Sequence, residues 1–476
     1  MARVQQASQK NTLLRFYLGP QTVYLITGSQ GIKSIFGRAM VHTVTNQEQM
    51  TQFALSTLYK LNKNEVQRWK DDKSGVAKTP IAGTESTPTR QRLWFMYEHI
   101  YAEFLGEARY FHPIAEGFAR NLNQILSSYP AHEWTAVSIR DFCRSKVVEA
   151  SVNSLFGPDL TRLTPDLIER FWEFDKNVFK LVMGLPKWIN AGPVRAHDRF
   201  VDAIRTWLDA ASMGFDWDGQ AAEAEWEPRF GGRAPRELIK WMKETGWRSE
   251  VIAATVGALV FAIPTTTWML MEIVKDPSLL QRVRDEVDTV IQPGPDTGEV
   301  SINHQKLVAL PLLQSIFTET LRLRINFNIM RDVKQPIILD GHTIPSGVML
   351  QAPMQVAHYN DNVWNTTGDH PANEFWAERH IRYTDHGAKR AYAIAGSPAS
   401  YFPFGGGANI CPGRRLAKSE ILTTVALVVS RFDIEFVGWT NFDGSPSSRE
   451  ARSDLRFSGA GAMPPDRDMV LKWKST

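Results

Sequence analysis

The amino-acid sequence predicts a mainly helical fold with small β-sheets, and three observations carry that expectation. Apolar residues recur at helical spacing across most of the stretch from 95 to 324. Short β-rich runs appear only at the start, over 13–17 and 21–27, and again beyond Arg324, where Pro and Gly break them up. No internal repeat interrupts the pattern, and no Pro/Ser/Gly linker is long enough to separate independent units, so a single domain is expected over residues 1–476.

In chain order, the first two runs flank Leu18-Gly19-Pro20 and read as a hairpin. Helical spacing then covers 95–128, 138–156, 167–183 and 195–213, with proline or glycine breaks between most of them. Residues 221–235 are acidic, carry tryptophan and end in Gly and Pro, which predicts an exposed connection. A long helix is expected from 245 to 275. Its uncharged part, 251–271, matches a bilayer span in length, but it contains Pro264 and a threonine run and lies mid-chain, so a buried central helix is the expectation. Asp276-Pro277-Ser278 starts the next helix, through Val290, with Pro277 suited to the first turn. Residues 292–299 read as a loop. Another helix follows Leu310 and ends near Arg324, and a last one spans 415–430.

Composition narrows the possible functions. Apolar residues make up 43% of the chain and aromatics 11%, with 15 Trp, enough to enclose a large flat ligand as well as fill a core. The net charge is only +3 and no basic patch interleaved with aromatics stands out, which argues against nucleic acid as a partner. Two cysteines, Cys143 and Cys411, make no disulfide framework and suggest a reducing compartment. The polar segment Met1 to Thr12 has no apolar core of a signal peptide or anchor.

The strongest chemical signal is Phe404-Gly405-Gly406-Gly407-Ala408-Asn409-Ile410-Cys411-Pro412-Gly413. Glycines ahead of the sulfur allow a tight bend and close approach to a flat ligand. Backbone amides of such a turn can point at the sulfur, which suits a metal-bound thiolate, and a thiolate can serve as the axial ligand of heme iron.

This stretch resembles the heme-binding loop of cytochromes P450, most of all the branch with steroid 7α-hydroxylases and prostacyclin synthase. The resemblance implies the P450 fold, heme b as cofactor and Cys411 as its iron ligand, with Phe404 packed near the sulfur and Gly407 and Gly413 shaping the loop. Asn409 stands where the family more often has an arginine that reaches a heme propionate, so another cation is needed; Arg331 matches a position where the family places one. Glu319-Thr320-Leu321-Arg322 and Arg379 resemble the family's structural Glu-Arg-Arg triad, although Ala377 and His380 replace the usual Pro and Phe. In the helix above the heme, Val260 and Phe261 fall at the positions of the family's proton-relaying acid and alcohol, and neither can relay a proton. Phe261 and Thr265 are therefore the candidate catalytic residues of this helix, with Thr265 a substitute hydroxyl one turn on.

The same resemblance implies a monooxygenase acting on a sizeable apolar small molecule such as a terpenoid, steroid or polyketide, in natural-product biosynthesis. Phe261, Ile263, Ile325, Phe327, Ile329 and 457–463 would wall the substrate, with no polar specificity group assignable. Electrons would come from a separate NADPH-dependent reductase, since no dinucleotide fingerprint is present. Arg414, Arg415 and Lys418 offer a basic patch for docking it or a plain solvated helix face. A monomer at the cytosolic face of the endoplasmic reticulum is implied, with the family's membrane anchor not apparent in this chain. Two other readings stay open: a heme-thiolate isomerase, dehydratase or cyclase working without external electrons, and a non-enzymatic heme sensor.

Overall fold

The structure, a computed structural model, describes residues 12–182, 190–260, 264–293, 300–365, 368–384, 389–396 and 399–475. Helices dominate. The hairpin forms as read: β1 (Leu13–Leu18) pairs antiparallel with β2 (Gln21–Ile26), and Gly19 turns the chain at φ +59°. Much later in the chain, β3 (Ile325–Val333) and β4 (Met349–Pro353) pair antiparallel, and β4 lies parallel beside β2. Ala460–Ala462, β5, joins that sheet against the start of β3, and Val44–Thr45 pairs with its end. A second sheet joins Thr135–Ser138, Phe432–Thr440, Pro446–Ser447 and Asp468–Ser475.

The helix expected over 95–128 is two helices, α1 (Leu93–Phe104) and α2 (Ala108–Ser127). The break centres on Gly106, where a Cβ would lie 2.3 Å from the Ala102 carbonyl oxygen, so the chain turns where only glycine fits. The segment 138–156 keeps its helical course through a π-helical turn at Cys143–Val147 and ends as α3 (Val148–Phe156). Next come α4 (Leu167–Val182) and α5 (Ala191–Ser212).

The expectation of an exposed connection over 221–235 holds in part up to Arg229 and fails from Phe230 on. Phe230 is fully buried, and Gly231, at φ +69°, comes so close to α3 that a Cβ would stand 2.3 Å from the Leu155 carbonyl. Trp226 donates to the Ser154 carbonyl at 2.7 Å, and the buried Arg236 donates to the carbonyls of Ala221 and Ala224. Composition suggests a loop; glycine-enabled backbone contact buries its second part, from Phe230, instead. The segment leads into a helix that the sequence pattern does not reveal, α6 (Arg233–Glu244).

The long helix expected over 245–275 is also divided. Thr245 caps the end of α6, α7 covers Ser249–Gly257, and α8 covers Pro264–Val274. After Gly257 the amides of Leu259 and Val260 bond three residues back, to Val256 and Gly257, tightening the end of α7. Pro264 opens α8, where a residue without an N–H costs nothing. Residues 261–263 lie outside the described ones. Among the described residues no helix is long and apolar enough to cross a membrane.

The remaining helices match the reading closely: α9 (Pro277–Asp288) with Asp276 as N-cap, α10 (Pro311–Arg324) and α11 (Arg414–Arg431). Of the loop expected over 292–299, residues 294–299 are outside the described ones, while Ile291–Pro293 pairs with Val300–Ile302 as a small hairpin.

The apolar core has two large parts. Helices α1, α5, α6 and α7 share one, with Trp69, Trp94, Trp207 and Trp241. Helices α2 and α8 to α11 share the other, and α11 is buried along most of its length. Inside that second region sits Glu420 on α11, whose carboxyl oxygens lie 3.1 Å from the Ser151 hydroxyl. Burial raises its pKa to about 8, so it is mostly protonated in the fold at neutral pH. A carboxyl with a raised folded-state pKa lends stability that is complete below its ordinary range and is lost as pH rises towards 8. Glu420→Gln is expected to match the natural chain near pH 4.5 and to exceed its unfolding free energy by about 2–4 kcal/mol at pH 8. Urea unfolding at both pH values checks this.

Candidate active site

Two glycines with positive φ, Gly405 at +73° and Gly407 at +69°, fold the cysteine turn. The Gly405 amide donates to the Phe402 carbonyl at 2.8 Å and the Cys411 amide to the Phe404 carbonyl at 2.9 Å, closing the turn on itself. A Cβ on Gly406 would meet the Phe36 ring at 2.5 Å, so the turn lies flat against the amino-terminal part of the chain. Phe404 is half-buried and packs against the second core region. Gly413, expected to shape the loop, sits at φ −74° with open space where a Cβ would stand, so its conformation does not demand glycine. It instead caps α11.

Cys411 is half-buried and free, as is the buried Cys143. Burial pushes the Cys411 thiol up, while hydrogen bonds from the amides of Gly413 and Arg414 and the Arg414 charge pull it back. These amides belong to the start of α11, whose dipole favours negative charge there. At Cys143 a hydrogen bond with Thr267 offsets little, and burial pushes the thiol up to about 12. The two thiols therefore differ in setting.

Arg331 enters from the middle of β3, opposite Leu350 of β4. It is 7% exposed, and its guanidinium donates to the Met330 carbonyl at 2.9 Å and reaches the Gly406 carbonyl at 3.5 Å. Burial lowers its pKa to about 10, with partial compensation from Glu98 and Asp332. Among the described residues it forms no ion pair with a carboxylate. A buried cation so placed calls for an anionic partner.

Asn409 donates its amide to Glu98 of α1 at 3.0 Å. Burial raises the Glu98 carboxyl above its ordinary pKa, although the residue keeps some accessible surface. Sequence reasoning misses Glu98. It is the acid on the face shared by Trp94, Tyr97 and Tyr101 at helical spacing, and that pattern is the available signal. Cys411, Glu98 and Tyr97 each keep some accessible surface, although burial raises the pKa of each. A heme fits the donor chemistry: a soft sulfur for iron and an unpaired buried guanidinium for a carboxylate.

The triad assembles. Glu319 receives Nε and Nη2 of Arg322 at 2.8 Å each and Nε of Arg379 at 2.8 Å, all three side chains being buried. Arg322 also donates to the carbonyls of His358 and Ala372, and Arg379 to those of Trp364, His370, Pro371 and Glu374. His380, seen in the sequence only as a departure, is a fourth member. Its Nδ1 accepts from the Ala395 amide at 3.1 Å, which leaves the proton on Nε2, 3.4 Å from Glu319.

Thr265 stands in the first turn of α8, fully buried, and its hydroxyl has no hydrogen-bond partner among the described residues. Val260, three residues after α7, is buried. Phe261 and Ile263 lie outside the described residues. Ile325 and Phe327 on β3 pair with Ala462 and Ala460 of β5, bringing two expected wall segments together. Trp268 ties α8 to that wall by donating to the Met463 carbonyl at 2.9 Å. Of the basic patch, Arg414 donates to the Cys411 carbonyl, Arg415 to that of Gly106, and Lys418 to Val308 and Gln314, with burial lowering Lys418 to about 8.

Comparison with known sequences agrees with this geometry. The profile of the family described as Cytochrome P450 matches residues 238–445. Cytochrome P450 monooxygenase calL of Penicillium decumbens is 38% identical, the alignment spanning 100% of this chain and 88% of that protein. Cytochrome P450 monooxygenase fsoE of Humicola fuscoatra is 33% identical over 70% of this chain, and the match covers 62% of fsoE, less than two thirds of its length. Cytochrome P450 7A1 of Sus scrofa, from the branch that the loop resembles, is 23% identical over 76% of this chain and 71% of its own length. Whole-length identity of this order means that the chain belongs to the cytochrome P450 family.

Proposed function

We propose that this cytochrome P450 monooxygenase oxidises a sizeable apolar molecule of secondary metabolism, using one catalytic domain that spans the chain and a thiolate-ligated heme held by Cys411. The observation that carries the reading is the Cys411 sulfur at the start of α11, receiving two backbone amides. When bound, the heme supplies the power to insert one oxygen atom of dioxygen into an unactivated C–H bond. Arg331 neutralises a carboxylate of the group, relieving its own buried charge. Asn409 takes part through Glu98, to which one of its donors is committed. Phe404 and the close-packed glycines exclude water from the sulfur side. Glu319, Arg322 and Arg379 keep the segment before the cysteine turn in place.

On the substrate side, Val260 provides hydrocarbon, and the Thr265 hydroxyl is free to hold a water or a substrate hydroxyl for proton delivery. Electrons come from a separate NADPH-dependent reductase at the endoplasmic reticulum membrane, a partner and location supported by the family alone. The side chains at 260 and 261 also favour a second reading, rearrangement of the substrate without external electrons.

The test is the ferrous–CO difference spectrum, then turnover of terpenoid, steroid and polyketide candidates under labelled dioxygen with NADPH and reductase. A thiolate-type Soret band and labelled oxygen in the product are expected. Product formed without any electron donor would put rearrangement first, and absence of the band would remove the heme-thiolate reading.

A further inference from the structure

We propose that the cleft between the ends of α5 and α6 and the start of α7 is a second ligand site, one that takes an amphipathic monocarboxylate, with the carboxylate on Lys243 and the apolar chain on Leu208, Ile252 and Trp247. The inference goes beyond the oxidation proposed above and stands whatever the substrate of that reaction is. The cleft has a volume of about 330 Å³. Its position follows from how α6 stops. Gly246 takes φ +76°, and the amides of Gly246 and Trp247 bond back to the carbonyls of Lys243 and Met242 at 3.1 and 3.0 Å. A glycine in this conformation closes a helix by satisfying its last carbonyls. The turn brings Trp247 into one wall with Leu208 of α5 and Ile252 of α7.

The floor is apolar and the rim is charged. Leu208, Ile252 and Trp247 belong to the first core region, while Met213, just past α5, is 74% exposed at the mouth. A flexible thioether left in water there can fold over an apolar guest. A methylene is about as large as a water, which occupies roughly 30 Å³, so the cleft has room for a chain of about ten carbons. Lys243 donates to the Ser212 hydroxyl at 2.8 Å and lies 4.6 Å from the centre of the Trp217 ring, and it forms no ion pair with a carboxylate among the described residues. An ammonium has three donors, so two remain for a ligand. Burial lowers its pKa and the charge of Asp209 offsets this only in part, as expected of a cation short of a counter-ion. Asp209, on the same rim, accepts from the Ser249 hydroxyl at 3.0 Å. With that acid beside Lys243 the cleft attracts one negative charge and repels a second, which selects a carboxylate over a phosphate dianion. The buried indole N–H of Trp247 has no hydrogen-bond partner among the described residues, so the wall holds a further donor that the fold leaves unused.

The experiment uses the heme-loaded full chain with 4-phenylimidazole at saturation, so that the probes do not report on the heme side, and titrates decanoate, 1-decanol and decyl phosphate by calorimetry. The natural chain is expected to bind decanoate roughly tenfold more tightly than 1-decanol, the worth of one charged hydrogen bond, and decyl phosphate no more tightly than decanoate. Lys243→Met keeps an apolar stem and removes the charge, so the preference should fall below about twofold, with 1-decanol affinity unchanged. Ser212→Trp fills the cleft from its half-buried rim and should weaken decanoate and 1-decanol alike by roughly tenfold or more. Thermal unfolding verifies that each variant is folded, and either one tests the site without the other. Equal affinity for decanoate and 1-decanol, binding of no probe, tighter binding of decyl phosphate, a preference that survives Lys243→Met, or unchanged binding in Ser212→Trp overturns the site. The ferrous–CO spectrum of the same preparation without the azole reports on the proposed function separately: a thiolate band with no decanoate binding removes this site alone.

Discussion

Cys411→Ser is expected to abolish the thiolate-type ferrous–CO band and to reduce heme content in the purified protein severalfold or more. The amides of Gly413 and Arg414 favour a sulfur anion, because a thiol already ionises within reach of neutral pH and burial is the main force opposing it. A serine hydroxyl ionises far above that range, and the same amides cannot make up the difference. Volume changes little, so the rest of the turn, closed by the Cys411 amide on Phe404 and by glycine conformations, should persist. Pyridine hemochrome content, the CO spectrum and thermal unfolding measure the three consequences separately. A variant that kept the thiolate band would remove Cys411 from the site.

The second large effect is on the fold. Glu319→Gln is expected to lower unfolding stability by about 3–5 kcal/mol, the usual cost of leaving buried charges without their partner. Burial by itself would raise the Glu319 carboxyl, yet hydrogen bonds from Arg322 and His380 and the charges of Arg322 and Arg379 outweigh it and bring it to about 2. Glutamine keeps the shape and one acceptor, but it leaves two buried guanidinium groups opposite a neutral amide. In the natural chain the carboxylate's contribution is complete above its ordinary pKa of 4.5 and fades as pH falls from there towards 2. The difference between the variant and the natural chain should therefore shrink in that window, as urea midpoints at pH 7 and pH 3.5 would show. Equal midpoints at pH 7 would refute this account of the triad.

Much of this is legible in the sequence because the signals are local. The cysteine turn is a run of ten residues, the helix starts at Pro277 and near Pro311 carry proline at the first turn, and the hairpin carries Gly-Pro. What escapes the sequence depends on contacts distant along the chain. Residues 221–235 have the composition of solvent-exposed chain, and only the approach of Gly231 to Leu155 reveals why those from Phe230 on are buried. The division of the long helix turns on Pro264, which in sequence suggests a kink and in the fold is a start. Glu98 and Asn409 are 311 positions apart, so the pair leaves no spacing rule to find.

The seating of the cysteine turn on Phe36 limits how far the protein could be trimmed. A fragment cut to 238–445, the span of the family profile, would remove the ring beneath Gly406, the acid that holds Asn409 and the hairpin beside β4. Such an excised piece would retain every motif and lack the platform that gives them their positions. Engineering by chimera should therefore exchange the amino-terminal segment through Glu98 together with the carboxyl-terminal third, as one inherited unit.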